Sequence, residues 1–348
     1  MPSGADEQIV KQILWGIETG RMNVGEQLPS AHALAAELKI DINLVAKAYK
    51  ELEKRNKVET ERMADHTEVL FIRKPPKPLY KQVFMQVFCA ISGNRFIQQI
   101  LEKIVDISQY AMGIGSGGYP LTSGERAIFS LLRQYISPPY CIFDAGAHKG
   151  HFLKLILDNL STEDYQIHCF EPGRSTFQFL ERNAPADDRL RLNNTALAKE
   201  RGKTILYYDD AGSGRASLTP LNMAHFGIEF NQSESIQMDT VDHYCETNRI
   251  DRIHLLKLDI EGHEMDALMG ALGMLDKKAI DIVTFEFGKS DVDTRYFFKD
   301  FYYFFTGKGM QIFRITPSEY LMPVESYREI NEQYRTTNFL AIKRGIII

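Results

Sequence analysis

The sequence predicts an α/β protein in which a small domain of three helices and a β-wing precedes a doubly wound parallel sheet. Three observations indicate this fold class. The 348 residues suffice for two domains that each bury their own core. The proline-rich stretch RKPPKP at 73–78 favours an extended connector after a helix-rich segment. From residue 141 onward, apolar runs alternate with helical segments, which is typical of a parallel sheet covered by helices.

The composition is that of a soluble globular protein and disfavours several functional classes. Hydrophobic residues make up 44% and charged residues 25% of the chain, and the formal charge of −5 argues against a general polyanion binder, although a local basic face remains open. The four cysteines form no C-x-x-C pair, so we predict neither a zinc knuckle nor a disulfide framework. We expect reduced thiols, a cytoplasmic location and, without a long apolar run or signal sequence, no membrane contact.

The residues before the connector predict three helices and two short strands. Apolar side chains recur at helical spacing over 9–17, which predicts the first helix. Ser30 is expected to cap a short helix through Leu38, and a third helix follows the turn at 41–43 and ends near Asn56. Two extended pieces around a polar tip then predict a β-wing.

The stretch GRMNVGEQLPSAHALAAELKIDINLVAKAYKELEKRNKV resembles the winged helix-turn-helix domain of GntR-type transcription regulators, over about residues 7–73. It has the G-x-x-x-x-G-x-x-L-P-S opening and the V-x-x-A-Y-x-x-L-E recognition helix of that family. The resemblance implies that the third helix enters the major groove of DNA, while helix N-termini and the wing contact phosphates. The implied DNA-facing residues are Ser30, His32, Asn43, Lys47 and Lys50.

The same segment departs from the GntR pattern at several expected phosphate contacts. His32 stands where the family usually has arginine, Leu44 where it has threonine, and residues 64–67 where it has a glycine-rich wing. Residues 1–74 carry 11 Lys and Arg against 12 Asp and Glu, a weak balance for binding by counterion release, although 47–57 is locally basic. Operator binding and a dimerisation or docking role therefore both remain open.

We expect the winged domain at 1–73, a connector at 74–112 and the sheet domain at 113–348. In the connector, residues 81–112 have amphipathic spacing, which predicts a helix with a packing role. In the sheet domain, the predicted strands are 141–144, 167–170, 190–194, 255–259 and 282–287.

The stretch CIFDAGAHKGHFLKLIL at 141–157 reads as a strand, a glycine turn and a helix. Asp144 ends the strand, Gly146 and Gly150 are expected to clear the turn for a ligand, and the helix presents its N-terminal NH groups. Glu171 ends the next strand 27 residues after Asp144, where a carboxylate can hold both ribose hydroxyls of a nucleoside. The D-x-G-x-x-x-G spacing differs from that of nicotinamide binders and is a weak signal alone. Together with the strand before it, the helix after it and Glu171, it favours S-adenosylmethionine; the alternative is a glycine turn in an inactive domain.

Six further motifs, in order, are FDAGAHKGHF, HCFEPG, NNTALAKERG, LLKLDIEGHEMDALMGA, IVTFEF and TTNFLAIK. Together they resemble the FkbM family of S-adenosylmethionine-dependent methyltransferases, over about residues 113–343. The resemblance implies a Rossmann-like methyltransferase sheet and O-methylation of a hydroxyl on a small molecule, sugar or polyketide-like metabolite. Carried over by position, the cofactor residues are Asp144, Gly146 and Gly150 near methionine and ribose, Glu171 at the ribose, and Asn194 with Ala196 near the adenine.

The acceptor side is expected in the segment KLDIEGHE, which ends a strand and continues into a turn. Methyl transfer is an in-line displacement, so alignment supplies most of the acceleration and a base is needed only for a hydroxyl proton. Asp259 or His263 is the expected proton acceptor, with Glu261 beside them. Alternatively, Glu261, Glu264 and Lys257 only hold the loop.

No metal is predicted, because the spacing of Asp259, Glu261 and Glu286 is not diagnostic of a cation site. The polar loop at 209–218 is rich in small residues and is expected either to close over substrate or to form a mobile hairpin tip, with Arg215 as the residue to test.

Three hypotheses for the whole chain follow from these two resemblances. The protein is a methyltransferase with an accessory head, a regulator whose methyltransferase-like domain senses S-adenosylmethionine or a metabolite, or an enzyme that works while bound at an operator. Intact cofactor motifs favour turnover. The expected partners are a small-molecule or sugar hydroxyl acceptor and DNA, and a homodimer is consistent with the pairing common among winged regulators.

Overall fold

The computed structural model describes residues 4–18, 21–23, 25–63, 68–73, 86, 89, 92–119 and 122–346. The chain divides into two compact units, Met1–Gln99 and Ile100–Ile348. Most of the predicted extended stretch at 73–78 lies outside the described residues, as does the predicted wing tip at 64–67.

The first unit contains the three predicted helices and the wing. Its elements are α1 (Ala5–Glu18), α2 (Ala31–Leu38), α3 (Ile42–Lys54), β1 (Val58–Arg62) and β2 (Glu68–Ile72), and the two strands pair antiparallel. The side chain of Ser30 accepts a hydrogen bond from the backbone NH of Ala33 at 3.2 Å, as an N-cap does. Asp41 caps α3 in the same way through the NH of Asn43, at 2.7 Å. The helix starts predicted from the sequence are therefore confirmed.

One face of α3 forms the centre of this small domain. Val45 and Leu52 are fully buried in a cluster with Ile9 and Ile13 of α1. The hydroxyl of Tyr49 donates a hydrogen bond to the carbonyl oxygen of Pro29, at 2.8 Å, which fastens α3 to the start of α2. On the opposite face of α3, the side chains of Asn43, Lys47 and Lys50 are exposed.

The helix predicted over 81–112 is interrupted, so that prediction is wrong in its extent. The structure has α4 over Arg95–Ala111, preceded by a bend at residues 92–94, while most of 81–91 lies outside the described residues. The carboxamide oxygen of Asn94 accepts a hydrogen bond from the NH of Ile97 at 2.9 Å, so the helix starts afresh there. Among the described residues, no side chain of α4 is buried, and its packing role stays a prediction.

The second unit is built on an eight-stranded sheet. Its strands are β3 (Tyr140–Ala145), β4 (Tyr165–Phe170), β5 (Leu190–Asn193), β9 (Ile253–Leu258), β10 (Ile280–Phe287), β11 (Met310–Ile315), β12 (Leu321–Pro323) and β13 (Thr337–Lys343). The strand order is β12-β11-β13-β10-β9-β3-β4-β5. The five predicted strands are confirmed and are parallel, whereas β13 pairs antiparallel with both β10 and β11.

Helices and a second small sheet complete this unit. The helices are α5 (Ala127–Tyr135), α6 (His151–Leu160), α7 (Arg174–Asn183), α8 (Val241–Asn248), α9 (Glu264–Met269), α10 (Leu272–Asp276), α11 (Ser290–Thr294) and α12 (Phe298–Gly307). The small sheet has the order β6 (Ala196–Leu197), β8 (Gln232–Asp239), β7 (Gly202–Tyr208). Two buried hydrophobic clusters flank the main sheet, as expected for a doubly wound fold. In the described part of the chain, no helix has the length and apolar character needed to cross a membrane.

The strand register places polar residues in rows across the sheet. Asp144 on β3 pairs with Lys257 on β9, and Lys257 pairs in turn with Thr284 on β10. Because side chains on a strand alternate between faces, the positions two residues further along form a second row on the same face. That row contains Glu171, Gly146, Asp259 and Glu286, at the carboxyl ends of β4, β3, β9 and β10.

Candidate active site

A cavity of about 440 Å³ opens at the carboxyl ends of the parallel strands. This is the edge where doubly wound sheets bind ligands. Of the residues predicted from the sequence, the cavity wall includes Gly146, Glu171, Ala196, Asp259, Glu261 and His263. Residues that sequence reasoning did not find also line it, among them Tyr119, Glu125 and Lys289. These three lie outside the motifs quoted from the sequence, and no spacing signal marked them.

Three predicted cofactor residues lie behind the wall of the cavity. Asp144 is fully buried beneath it. Gly150 is the residue that precedes α6, and it has a left-handed backbone. The carboxamide of Asn194 donates hydrogen bonds to the carbonyl oxygens of Glu171 and Pro172, at 2.9 and 3.0 Å. Asn194 thereby fixes the segment that carries Glu171.

The glycines of the turn are required by packing within the protein. Gly146 has φ of +80°, and a Cβ atom there would lie 1.8 Å from the carbonyl oxygen of Asp259. At Gly150, with φ of +85°, a Cβ atom would lie 2.9 Å from the side chain of Leu180. Space for a ligand was the reason expected from the sequence. The physical reason in the structure is the close approach of neighbouring segments of the chain.

The carboxylate of Glu171 organises the cofactor side of the cavity. One oxygen accepts hydrogen bonds from the NH of Gly173 at 2.9 Å and the hydroxyl of Thr176 at 3.0 Å. The other accepts from the NH of His148 at 2.9 Å, which holds the glycine turn in place. Burial raises the pKa of Glu171, and these hydrogen bonds act in the opposite direction without cancelling the effect.

A buried lysine, Lys257, forms part of the cavity floor. The ammonium of Lys257 is 3.0 Å from a carboxylate oxygen of Asp259 and 3.5 Å from one of Asp144. Burial opposes the charge of Lys257, but the neighbouring carboxylates outweigh it, so the pKa of this lysine is raised. Burial likewise raises the pKa of Asp144, and it raises that of Glu125, a third acid near the lysine, to about 7. The floor therefore holds one cation among three acids.

The loop after β9 is held by its own side chains. The ring nitrogens of His263 lie 2.7 Å from a carboxylate oxygen of Asp266 and 3.1 Å from the hydroxyl of Thr219. One carboxylate oxygen of Glu264 accepts hydrogen bonds from the NH groups of Ile260 and Gly262, at 2.9 and 3.3 Å. Both nitrogens of His263 are thus occupied, and Glu264 stabilises the turn.

Glu261 lies in the same turn with φ of +53°. Its carboxylate accepts a hydrogen bond from the hydroxyl of Ser290 at 2.5 Å, and its carbonyl oxygen accepts one from Ser217 at 2.8 Å. Burial is the main cause that raises the pKa of Glu261 to about 7. Within the described ranges, no group of three or more His, Cys, Asp or Glu side chains is arranged to hold a metal ion.

The loop at 209–218 forms a roof over the cavity. A ring nitrogen of His148 lies 3.1 Å from the carbonyl oxygen of Gly212, and Arg215 pairs with Asp209. Burial lowers the pKa of His148. Because Ser217 bonds to the turn of Glu261, the roof is attached at both the glycine turn and the loop after β9.

The residues predicted to face DNA all lie on the surface of the first unit. The side chains in question are Ser30, His32, Asn43, Lys47 and Lys50, and each is exposed. Asn43, Lys47 and Lys50 share the face of α3 opposite its buried residues. The ammonium of Lys47 pairs with the carboxylate of Asp6 on α1, at 2.7 Å. Lys47 therefore has an ion-pair partner within the first unit, although its side chain is 73% exposed.

Comparison with known proteins bears on both units. Residues 5–64 match the family of bacterial regulatory proteins described as gntR, and residues 144–312 match the methyltransferase FkbM domain. The 2-O-methyltransferase NoeI of Sinorhizobium fredii is 25% identical over 163 residues, which cover 44% of this chain and 65% of that protein. The match thus spans less than two thirds of that relative.

Two solved structures are similar to parts of the chain. The methyltransferase FkbM of Methylobacillus flagellatus KT has 14% identity and a TM-score of 0.37, covering 61% of this chain and 47% of that one. YtrA of Sulfolobus acidocaldarius, a GntR-family transcription factor, has 20% identity and a TM-score of 0.20, covering 27% and 92%. The two family matches therefore follow one another along the chain, with the gntR-family match before the methyltransferase FkbM match.

Proposed function

We propose that the protein transfers the methyl group of S-adenosylmethionine to a hydroxyl of a small molecule or sugar. One observation carries this proposal, namely that Glu171, Gly146 and Asp259 stand in one row along a cavity at the carboxyl edge of the parallel strands. The volume of about 440 Å³ suits a ligand of nucleoside size. The FkbM family match supports methyl transfer, and the name of the related 2-O-methyltransferase supports an oxygen acceptor.

The residues around the glycine turn fit the adenosyl half of the donor. Three protein donors occupy the carboxylate of Glu171, which leaves room for a ribose hydroxyl at its remaining lone pair. We assign Gly146 and Ala196 to direct contact with the cofactor. The other three residues would support that site from behind. Asp144 does so from the cavity floor and Gly150 from the start of α6. Asn194 does so through its hydrogen bonds to the carbonyl oxygens of Glu171 and Pro172.

The acceptor is assigned to the other end of the row. Asp259 and Glu261 line that end, and Lys257 holds Asp259 in position. S-adenosylmethionine supplies a methyl group on a cationic sulfur, which carboxylates nearby favour electrostatically. We assign His263 a structural role in the loop after β9, because both of its ring nitrogens are occupied by Asp266 and Thr219.

Binding of the donor is the direct test of this proposal. Titration calorimetry of the full chain is expected to show one molecule of S-adenosylmethionine bound per chain, displaced by S-adenosylhomocysteine. Methyl-labelled donor is then expected to label hydroxyl compounds from a panel of sugars and phenols. A folded chain that takes up neither nucleoside would refute the assignment of the cavity.

A second function is proposed for the head, because Asn43, Lys47 and Lys50 are exposed along one face of α3. We propose that this face binds DNA, either to regulate transcription in response to the methyltransferase domain or to hold the enzyme at an operator. The alternative is a docking or dimerisation role for the same domain.

The salt dependence of the affinity for DNA distinguishes these roles of the N-terminal domain. Fluorescence anisotropy with the DNA upstream of its own gene is expected to give a log–log salt slope that flattens by about 0.9 in Lys50→Ala, since one phosphate contact is lost. Lys47→Ala is expected to flatten the slope as well. Lys11→Ala, on the exposed surface of α1, is the control and should leave the slope unchanged. The absence of any salt-sensitive binding to this DNA would favour the docking account.

A further inference from the structure

Glu286 occupies the acceptor end of the row that borders the cavity. It lies at the carboxyl end of β10, directly after Phe285, which pairs with Leu258 on β9. Neighbouring strands are about 4.8 Å apart, so the backbone at Glu286 is one strand beyond Asp259. On the same basis it is three strands, about 14 Å, from Glu171. Glu171 and Glu286 therefore stand at opposite ends of the space assigned to the donor and acceptor.

The carboxylate of Glu286 differs from the other acids of this row in its contacts. Glu171 accepts three hydrogen bonds, and Asp259 pairs with Lys257. Glu261 accepts a hydrogen bond from Ser290. Glu286 is partly buried on the cavity wall and, among the described residues, it has neither a hydrogen-bond nor an ion-pair partner. A carboxylate that lines a cavity and has no protein partner is available to bind a ligand there.

The surroundings of Glu286 favour the protonated form of its carboxyl group. Burial raises its pKa well above the ordinary range, and the surrounding carboxylates add to the effect. The acids that face it are Asp259, Glu261, Glu264 and Asp291, and the cations on this side are Lys257 and Lys289. Lys257 is engaged by Asp144 and Asp259, and Asn338, opposite Glu286 on β13, is neutral. In its ionised form, a carboxylate with a raised pKa takes a hydroxyl proton more readily than an ordinary one.

We propose that Glu286 faces the transferred methyl group and accepts the proton of the acceptor hydroxyl. This inference rests on the proposed methyltransferase function. In the step, the acceptor O–H bond breaks and its proton moves to a carboxylate oxygen of Glu286. The oxygen of the acceptor hydroxyl forms a bond to the methyl carbon. At the same time the carbon–sulfur bond breaks, and its electron pair remains on the sulfur, which becomes a neutral thioether. Glu286 later loses the proton to water.

The test uses two donor analogues and needs no known acceptor. Sinefungin carries a primary amine at the position of the methylsulfonium, whereas S-adenosylhomocysteine has a neutral thioether there. If Glu286 faces the methyl group, its carboxylate bonds the amine of sinefungin. At pH 8, the wild type is expected to bind sinefungin at least tenfold tighter than S-adenosylhomocysteine. Glu286→Gln is expected to lose at least fivefold in sinefungin affinity and less than twofold in affinity for S-adenosylhomocysteine.

Controls keep this result interpretable. Glu181→Gln removes an exposed acid on α7 and should bind both analogues like the wild type. Equal sinefungin affinity in Glu286→Gln and wild type overturns the proposal. Failure of the wild type to bind S-adenosylhomocysteine contradicts the methyltransferase function instead, so the two failures are distinguishable.

A measurement on the wild type alone guards against a variant that does not fold. The ratio of sinefungin to S-adenosylhomocysteine affinity is expected to rise as the pH is raised from 6 to 9, because the acids at this end ionise and attract the amine. Burial raises the pKa values of Glu261 and Asp291 to about 7, so these two acids contribute to the increase of the affinity ratio with pH. In Glu286→Gln, only the part of the increase that Glu261 and Asp291 cause should remain. A ratio that stays constant with pH overturns the proposal.

Discussion

Glu171→Ala is expected to lower the affinity for S-adenosylmethionine at least tenfold and the free energy of unfolding by about 2–4 kcal/mol. The loss of affinity follows from the missing hydrogen bond to the ribose, because bonds to charged groups contribute about 1.5–3 kcal/mol. The loss of stability follows from the donors that remain. The NH groups of His148 and Gly173 and the hydroxyl of Thr176 would all lack their acceptor. Calorimetry and urea unfolding measure the two effects separately.

Thr176→Val is the matched control for this experiment. It removes one donor to Glu171 and keeps the carboxylate, so it should cost about 1 kcal/mol of stability. The affinity for S-adenosylmethionine should stay within about twofold of the wild type, which is less than 0.5 kcal/mol. A Glu171→Ala protein that binds the donor as tightly as the wild type would show that this carboxylate does not contact the ribose.

Lys257→Met is expected to lower the free energy of unfolding by about 3–5 kcal/mol, the range found when one partner of a buried ion pair is removed. The lysine is only 4% exposed, and its loss leaves Asp144, Glu125 and Asp259 without their shared cation. The pKa values of Asp144 and Glu125 are already raised by burial and would rise further without the lysine. Groups with raised pKa values stabilise the folded state when protonated, and this contribution is lost as the pH rises.

The deficit of Lys257→Met should therefore be larger at pH 8 than at pH 5, because Glu125 titrates within that interval. Urea unfolding at both values measures it. Lys289→Met is the comparison variant, since Lys289 lies on the cavity wall and has no ion pair in the described part of the chain. Its effect should stay below about 1 kcal/mol. Equal stability of Lys257→Met and wild type would mean that the acids of the floor are neutral without the lysine.

The cavity edge was predictable because apolar runs mark strands and polar residues mark their ends. Glu171, Asp259 and Glu286 each follow or end such a run, and parallel strands bring these ends to one side of the sheet. The same periodicity carries no information on direction, so the antiparallel pairing of β13 with β10 was not foreseen. The part of the wall formed by Glu125 comes from a segment without a recognisable motif.

The remaining differences arise from contacts that depend on three-dimensional packing. The pairing of His263 with Thr219 joins residues that are 44 positions apart, and sequence spacing gives no sign of it. Asp144 lies near the end of β3, where a cofactor residue was expected, yet its side chain is fully buried beside Lys257. The bend at 92–94 was missed because helical spacing continues on both sides of a Ser-Gly-Asn turn that restarts the helix.

The close approach of Gly146 to the carbonyl of Asp259 bears on how mutational scans of this protein should be interpreted. Any side chain at residue 146 would act as a wedge between the ends of two adjacent strands, since even a methyl group would lie 1.8 Å from that oxygen. The ends of β3 and β9, which carry the two halves of the pocket, would then be displaced from each other. Inactive substitutions at this glycine would thus report a distorted scaffold, and they would be poor guides to which atoms touch the nucleoside.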